Sequence, residues 1–372
     1  MLRDNMAALF KHVFGAGMTS SSLCRSPAFC FSTKSHLVTK YNLAFQKKNY
    51  KYVLEEKLAF RIAQSLGRLE DDVIIETNPG PGVLTKALFE VGATHVIGLE
   101  PERKFHPALW DIQAENTAKR RFDLLHGDFS KIDPHEGSDR TGAFCSPPAI
   151  SSEDVLSTVE SKPWTSDQLA ARFVGIESAT NPTVLPRVLI GQLSKMVAGK
   201  GIFHKGRCEL AFFYAEDRAQ KLTAEYGSKY FNRISIMVSL FCDVKVLLHE
   251  PCSNFYPVRG KERNRFLNLV SLVPKKIPAV DISSDNIHYL NYFIRLLLVK
   301  PQRRVIEAIE SISPGSHVLL DELQWPYDTT ARDLRPEDIG KLASAFFKWE
   351  GKSLNFYYDS GCNDQLEGLK FI

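Results

Sequence analysis

The sequence predicts an α/β fold, a doubly wound sheet with a smaller helical domain after it, on three observations. A short apolar strand runs directly into a glycine-bearing loop and a helix. A second apolar strand follows and ends in a carboxylate. A helical periodicity then fills much of the last quarter of the chain.

The first unit begins at Asp72-Val73-Ile74-Ile75-Glu76, whose unbroken apolar run suits a strand buried on both faces. Thr77-Asn78-Pro79-Gly80-Pro81-Gly82 turns the chain into a helix from Val83 to about Gly92. Gly80 and Gly82 allow a tight turn and a close approach of backbone to ligand. The helix that follows presents N–H groups without intrahelical partners. A second strand, Thr94 to Leu99, ends at Glu100, 18 positions after Gly82. An acid about 20 residues beyond such a loop binds ribose hydroxyls. The third strand, Phe122 to His126, leads into Gly127-Asp128, where a carboxylate can accept a hydrogen bond from an adenine amine. The fourth strand is expected at Gly142-Ala143-Phe144-Cys145, and a helix is expected upstream, over Asn49 to Leu66. Loop, Glu100 and Asp128 in register predict a nucleoside-containing ligand. A dehydrogenase fingerprint needs a third glycine, and here Gly82 is followed by Val83-Leu84-Thr85.

Composition sets the outer limits. At 372 residues, 44% hydrophobic and 24% charged, with a net charge of +4, the chain is an ordinary globular protein of more than one average domain. No apolar run approaches the roughly 18 residues of a membrane span, so no membrane partner is expected. Seven cysteines, odd in number and without a CxxC pair, argue against a disulfide framework and a structural zinc site. The ten histidines show no ligand spacing, so no metal is expected.

Before Leu54, Asp4 is the only acidic residue, against Arg3, Lys11, Arg25, Lys34, Lys40, Lys47, Lys48 and Lys51. A positive, acid-poor, Ser-containing leader able to form an amphipathic helix is what mitochondrial import requires. Residues 1–35 are therefore expected to be a targeting peptide, 36–275 the sheet domain and 276–372 the helical domain. In the last of these, Ile287, Leu290, Phe293, Ile294 and Leu297 mark one helical face, which Pro301 interrupts and Val305, Ile306 and Ile309 continue. A further helix is expected over Pro336 to Trp349. Basic clusters at Lys119-Arg120-Arg121, Arg259 to Arg265, Lys275-Lys276 and Arg303-Arg304 are candidate phosphate contacts.

Glu76-Thr77-Asn78-Pro79-Gly80-Pro81-Gly82-Val83-Leu84-Thr85 resembles the E-x-G-x-G-x-G-x-L-T loop of the ribosomal RNA adenine N6-dimethyltransferases, with Asn78 in place of the first glycine. The Asn-Pro-Gly-Pro-Gly variant resembles a mitochondrial branch of that family. So do Tyr50-Lys51-Tyr52-Val53, Gly98-Leu99-Glu100, Glu250-Pro251 with Phe255, Arg335-Pro336-Glu337-Asp338 and Tyr357-Tyr358-Asp359. The resemblance implies a Rossmann-like methyltransferase domain with S-adenosyl-L-methionine as cofactor, bound by Val53, Glu76, Gly80, Gly82, Glu100 and Asp128.

Active members of the family carry an Asn-x-Pro-aromatic segment after the fourth strand. Its asparagine and proline hold the target amine in line with the methyl group, and its ring stacks on the flipped base. The segment is expected here at Cys145-Ser146-Pro147-Pro148-Ala149, without the asparagine or the ring. No catalytic residue is assigned. The resemblance then implies a transcription initiation factor that melts promoter DNA with mitochondrial RNA polymerase, alongside the mitochondrial HMG-box transcription factor A. Dimethylation of mitochondrial small-subunit ribosomal RNA is the alternative.

Overall fold

The computed structural model of the chain describes residues 34–45, 50–133, 149–176, 193, 195–258, 260, 265–283 and 286–352. Ser32–Ile372 form one compact unit. The targeting peptide, apart from Lys34 and Ser35, and Tyr357-Tyr358-Asp359 lie outside the described residues.

Nine strands are described: β1 (Tyr52–Val53), β2 (Val73–Thr77), β3 (His95–Leu99), β4 (Arg121–Leu125), β5 (Ala171–Ile176), β6 (Cys208–Ala215), β7 (Cys242–Pro251), β8 (Phe255–Tyr256) and β9 (Phe266–Pro274). Seven form one sheet in the order β4-β3-β2-β5-β6-β9-β7. The five strands from β4 to β6 in that order run parallel, β9 adds antiparallel to β6, and β7 adds antiparallel to β9. The chain therefore winds from β2 outward to β4, then returns past β2 to β5. That reversal is the switch point at which ligands of open α/β sheets bind, beyond the carboxyl ends of the strands.

The expected first three strands and the helix Val83–Val91 are present, the helix closing on Gly92 in the left-handed region at φ 118°. The helix expected over Asn49 to Leu66 is shorter, Glu56–Ser65. Its expected first turn is instead β1, whose Tyr52 and Val53 pair with Tyr256 and Phe255. An aromatic and a β-branched residue suit a strand better than a helix start, and the Lys51 ammonium holds the pairing from outside by donating to the Pro257 carbonyl at 3.2 Å.

The fourth strand differs most. Gly142 to Cys145 lie outside the described residues, but both edges of β2 are taken, one by β3 and the other by β5. The strand that follows β4 in the winding is therefore Ala171–Ile176. Arg172 interrupts its apolar run and hides it from a search for periodicity. Its guanidinium is held in place by Asp72 at 2.9 Å and the Leu66 carbonyl at 2.5 Å.

In the second half, helices Ile287–Val299, Val305–Ile312 and Pro336–Lys348 match the expected periodicity, with Val318–Leu323 between them. Asp338 accepts from the Arg335 amide and fixes the start of the last long helix. Phe173 and Phe212 from the sheet and Phe293 and Phe346 from these helices belong to one continuous buried core. No described helix is long and apolar enough to cross a membrane.

Candidate cofactor site

The site assembles where β2, β3 and β4 end side by side. Asn78, Gly80 and Gly82 all take positive φ, at 57°, 60° and 81°, and so reverse the chain between β2 and its helix within five residues. The Asn78 amide donates to the Leu99 carbonyl at 2.9 Å and ties the loop to β3. The Gly80 amide donates to Glu100 Oε2 at 2.8 Å, and the Glu102 amide to Glu100 Oε1 at 2.7 Å. Glu100 thus fixes the loop on one side and its own chain on the other.

The two glycines are required for different reasons. A Cβ on Gly80 would lie 2.5 Å from Tyr52 Cδ1, whereas one on Gly82 would lie 2.4 Å from Ile112 Cδ1. Gly80 therefore faces the β1 segment, and Gly82 lets the helix His106–Ala114 pack against the loop. The sequence assigned both to ligand approach. In the structure both also make room for side chains of the protein itself.

Three carboxylates converge on this end of the sheet, all buried: Glu76 at 2%, Glu100 at 0% and Asp128 at 8% exposure. Glu76 Oε2 accepts from the Thr85 hydroxyl at 2.6 Å, which links the end of β2 to the first turn of the helix after it. Burial pushes Glu76 up to about 8, against the Thr85 hydrogen bond. It does the same to Glu100, against the Glu102 and Gly80 amides. Burial thus disfavours the charged form of both, which a cation or further donors would favour. Asp128 accepts from the Ser130 amide at 2.9 Å and the Ser130 hydroxyl at 2.8 Å on Oδ1, and from the Tyr50 hydroxyl at 2.6 Å on Oδ2. Val53 lies on β1 beside Tyr52, buried at 5%, and its backbone pairs with Phe255.

The donor set fits S-adenosylmethionine. Glu76 would face its ammonium, Glu100 its ribose hydroxyls and Asp128 its adenine amine. The helix Val83–Val91 has no side-chain cap on its free amides. Among the described residues, Asn78 Oδ1 and the Tyr52 hydroxyl are buried without a hydrogen-bond partner, and both belong to this site. Sequence reasoning missed Tyr50, Tyr52 and Thr85 as site residues. Thr85 stood in the loop motif, and the two tyrosines stood in the segment that led to Val53.

The segment expected to receive the target base also moves. With β5 in the fourth place, the strand beside Glu76 ends at Gly175-Ile176, and the sequence that follows it is Glu177-Ser178-Ala179, not Cys145 to Ala149. This is a correction to the position of the motif, forced by β2 having no free edge. Residues 177–179 and 145–148 lie outside the described residues, but their identities are plain. Asn-x-Pro-aromatic is absent at both places, and no aromatic residue occurs between Phe173 and Phe203.

Several members of the basic clusters are ion-paired where they are described. Arg120 pairs with Glu90 at 3.6 Å and Arg121 with Asp123 at 2.8 Å. Lys276 pairs with Asp167, and Arg303 and Arg304 share Glu307. Of Arg259 to Arg265, only Gly260 and Arg265 are described. No group of histidine, cysteine and carboxylate side chains among the described residues is arranged to hold a metal.

The model of the ribosomal RNA adenine dimethylase family matches residues 44–346. The human protein named dimethyladenosine transferase 2, mitochondrial, is 28% identical over 370 residues, covering 94% of this chain and 89% of its own. The Vermamoeba vermiformis protein named dimethyladenosine transferase 1, mitochondrial, is 26% identical, covering 86% and 95%. The solved structure of a dimethyladenosine transferase from Plasmodium falciparum has a TM-score of 0.53 at 14% identity, covering 79% of this chain and 96% of its own, a likeness of fold. The family match bears out the expectation of S-adenosylmethionine as the cofactor.

Proposed function

The chain belongs to the ribosomal RNA adenine dimethylase family, and from that premise we propose that it is a mitochondrial transcription initiation factor, working in the matrix nucleoid with mitochondrial RNA polymerase on promoter DNA. The observation that carries this reading is the segment leaving β5. A base taken out of its stack needs a replacement surface, and stacking on an aromatic side chain is worth about 1–3 kcal/mol per base. Ile176-Glu177-Ser178-Ala179 offers no ring, and no asparagine or proline to align the amine. The surface that held RNA in an enzyme is then free to hold an opened DNA strand, with the mitochondrial HMG-box transcription factor A as a further partner on the promoter.

A second reading has its own support: a mitochondrial small-subunit ribosomal RNA adenine N6,N6-dimethyltransferase. Glu76, Glu100 and Asp128 remain in place around the loop, and the relatives named above are called transferases. S-adenosylmethionine would supply the methyl group in that case.

The two readings part in a run-off transcription assay on a linear promoter with mitochondrial RNA polymerase. Addition of this protein is expected to raise transcript yield several-fold, and a yield unchanged by its addition refutes the initiation role.

A further inference from the structure

Asp128 is more heavily occupied than a waiting ligand site needs to be. Its Oδ1 accepts from both the amide and the hydroxyl of Ser130, at 2.9 and 2.8 Å, and its Oδ2 accepts from the Tyr50 hydroxyl at 2.6 Å. A carboxylate has about four lone-pair positions, so three of them are in use. Serine is two residues away in the same turn and serves the local backbone. Tyr50 reaches across 78 positions of sequence. It makes the contact from a buried position, at 9% exposure, just before β1.

Tyr52 adds a second contact from the same segment. Its ring lies against Gly80, and packs edge-on to Phe105 at 4.9 Å. Its hydroxyl, with the residue 1% exposed, has no hydrogen-bond partner among the described residues. The segment therefore fills the site at two points but satisfies only one of its two phenols. An arrangement that leaves a buried hydroxyl unpaired has a competitor when a ligand brings donors and acceptors.

We propose that Tyr50 is a latch on the cofactor pocket: its hydroxyl holds Asp128 Oδ2, the oxygen with one lone-pair position left, so that the adenine amine of S-adenosylmethionine competes with Tyr50 for it and the cofactor binds more tightly as residues 50–53 give way. The proposal rests on the assignment of Asp128 to the adenine. It makes Tyr50 the residue that sets cofactor affinity, although it need never touch the methyl group. The pocket is then built but self-occupied, and its affinity is lowered by the fraction of molecules in which the latch is shut.

The test is calorimetric titration of S-adenosylhomocysteine into the full-length protein and its Tyr50→Phe and Asp128→Ala variants. Tyr50→Phe keeps the ring and deletes one oxygen, so it is expected to bind about tenfold more tightly than the unaltered chain. Saturating ligand is also expected to produce a larger tyrosine difference absorbance in the unaltered chain than in Tyr50→Phe, where Tyr52 alone of the segment can contribute. Equal or weaker binding by Tyr50→Phe, binding by neither protein, or a difference spectrum of equal size in both overturns the latch. Asp128→Ala is expected to lose binding. Unchanged affinity there refutes the adenine assignment, and with it the latch, whatever Tyr50→Phe does.

Discussion

The Gly80 amide donates to Glu100 Oε2 at 2.8 Å, so the loop after β2 and the end of β3 are held together by a hydrogen bond to a carboxylate with no exposure to solvent. The same glycine sits at φ 60°, with the Tyr52 ring where its Cβ would be. Gly80→Ala meets both obstacles at once. It is expected to lower stability by about 1–3 kcal/mol in urea unfolding and to abolish S-adenosylhomocysteine binding. Unaltered stability would mean that the loop has another low-energy path.

Asn78 presents the opposite case. It holds φ 57° with a side chain, and its buried Oδ1 has no partner among the described residues. Asn78→Gly relieves both costs and returns the family's glycine to this position. It is expected to leave stability unchanged or raise it by up to about 1 kcal/mol, measured by the same unfolding curves. A loss of more than that would show that the Asn78 side-chain amide has a partner that matters.

Glu76 and Glu100 make stability depend on pH in an unusual direction. Burial pushes each up to about 8, from an ordinary value of 4.5. Between those values the folded chain holds protons that the unfolded chain has released, so stability falls as pH rises through the window. The slope is at most about 1.4 kcal/mol per pH unit for each group. Unfolding free energies measured at several pH values between 5 and 8 are expected to decline, and Glu76→Gln with Glu100→Gln to flatten the decline. An unchanged slope in the double variant would place the titration elsewhere.

Arg120 and Arg121 are paired with Glu90 and Asp123 and have little charge left to offer a phosphate. Replacing both with alanine is expected to change the affinity for promoter DNA by less than about twofold, with no change in its salt dependence. A clear drop in the salt slope would show that these pairs open on binding.

Much of the site was legible because its chemistry is local. Glu76, Asn78, Gly80 and Gly82 lie within seven consecutive residues, and the spacings to Glu100 and Asp128 follow from one helix and one strand each. What escaped depended on contacts distant in sequence. Tyr50 meets Asp128 across 78 positions, and β1 exists because Tyr52 and Val53 find Tyr256 and Phe255. β5 was hidden by Arg172, a charge that looks impossible in a central strand until Asp72 is seen beside it. The mistaken place of the base-binding segment followed directly from that. A Pro-rich stretch after a short apolar run resembled the family motif, and only the sheet order shows which strand stands next to β2.

The central claim is that a methyltransferase pocket persists beside a segment that no longer positions a base. Transfer of labelled methyl groups from S-adenosylmethionine to a small-subunit ribosomal RNA hairpin tests it most directly, with an active member of the family run in parallel. Loss of the stacking ring alone, at about 1–3 kcal/mol, corresponds to a rate about 5- to 160-fold lower. A rate within twofold of the active enzyme would contradict the claim.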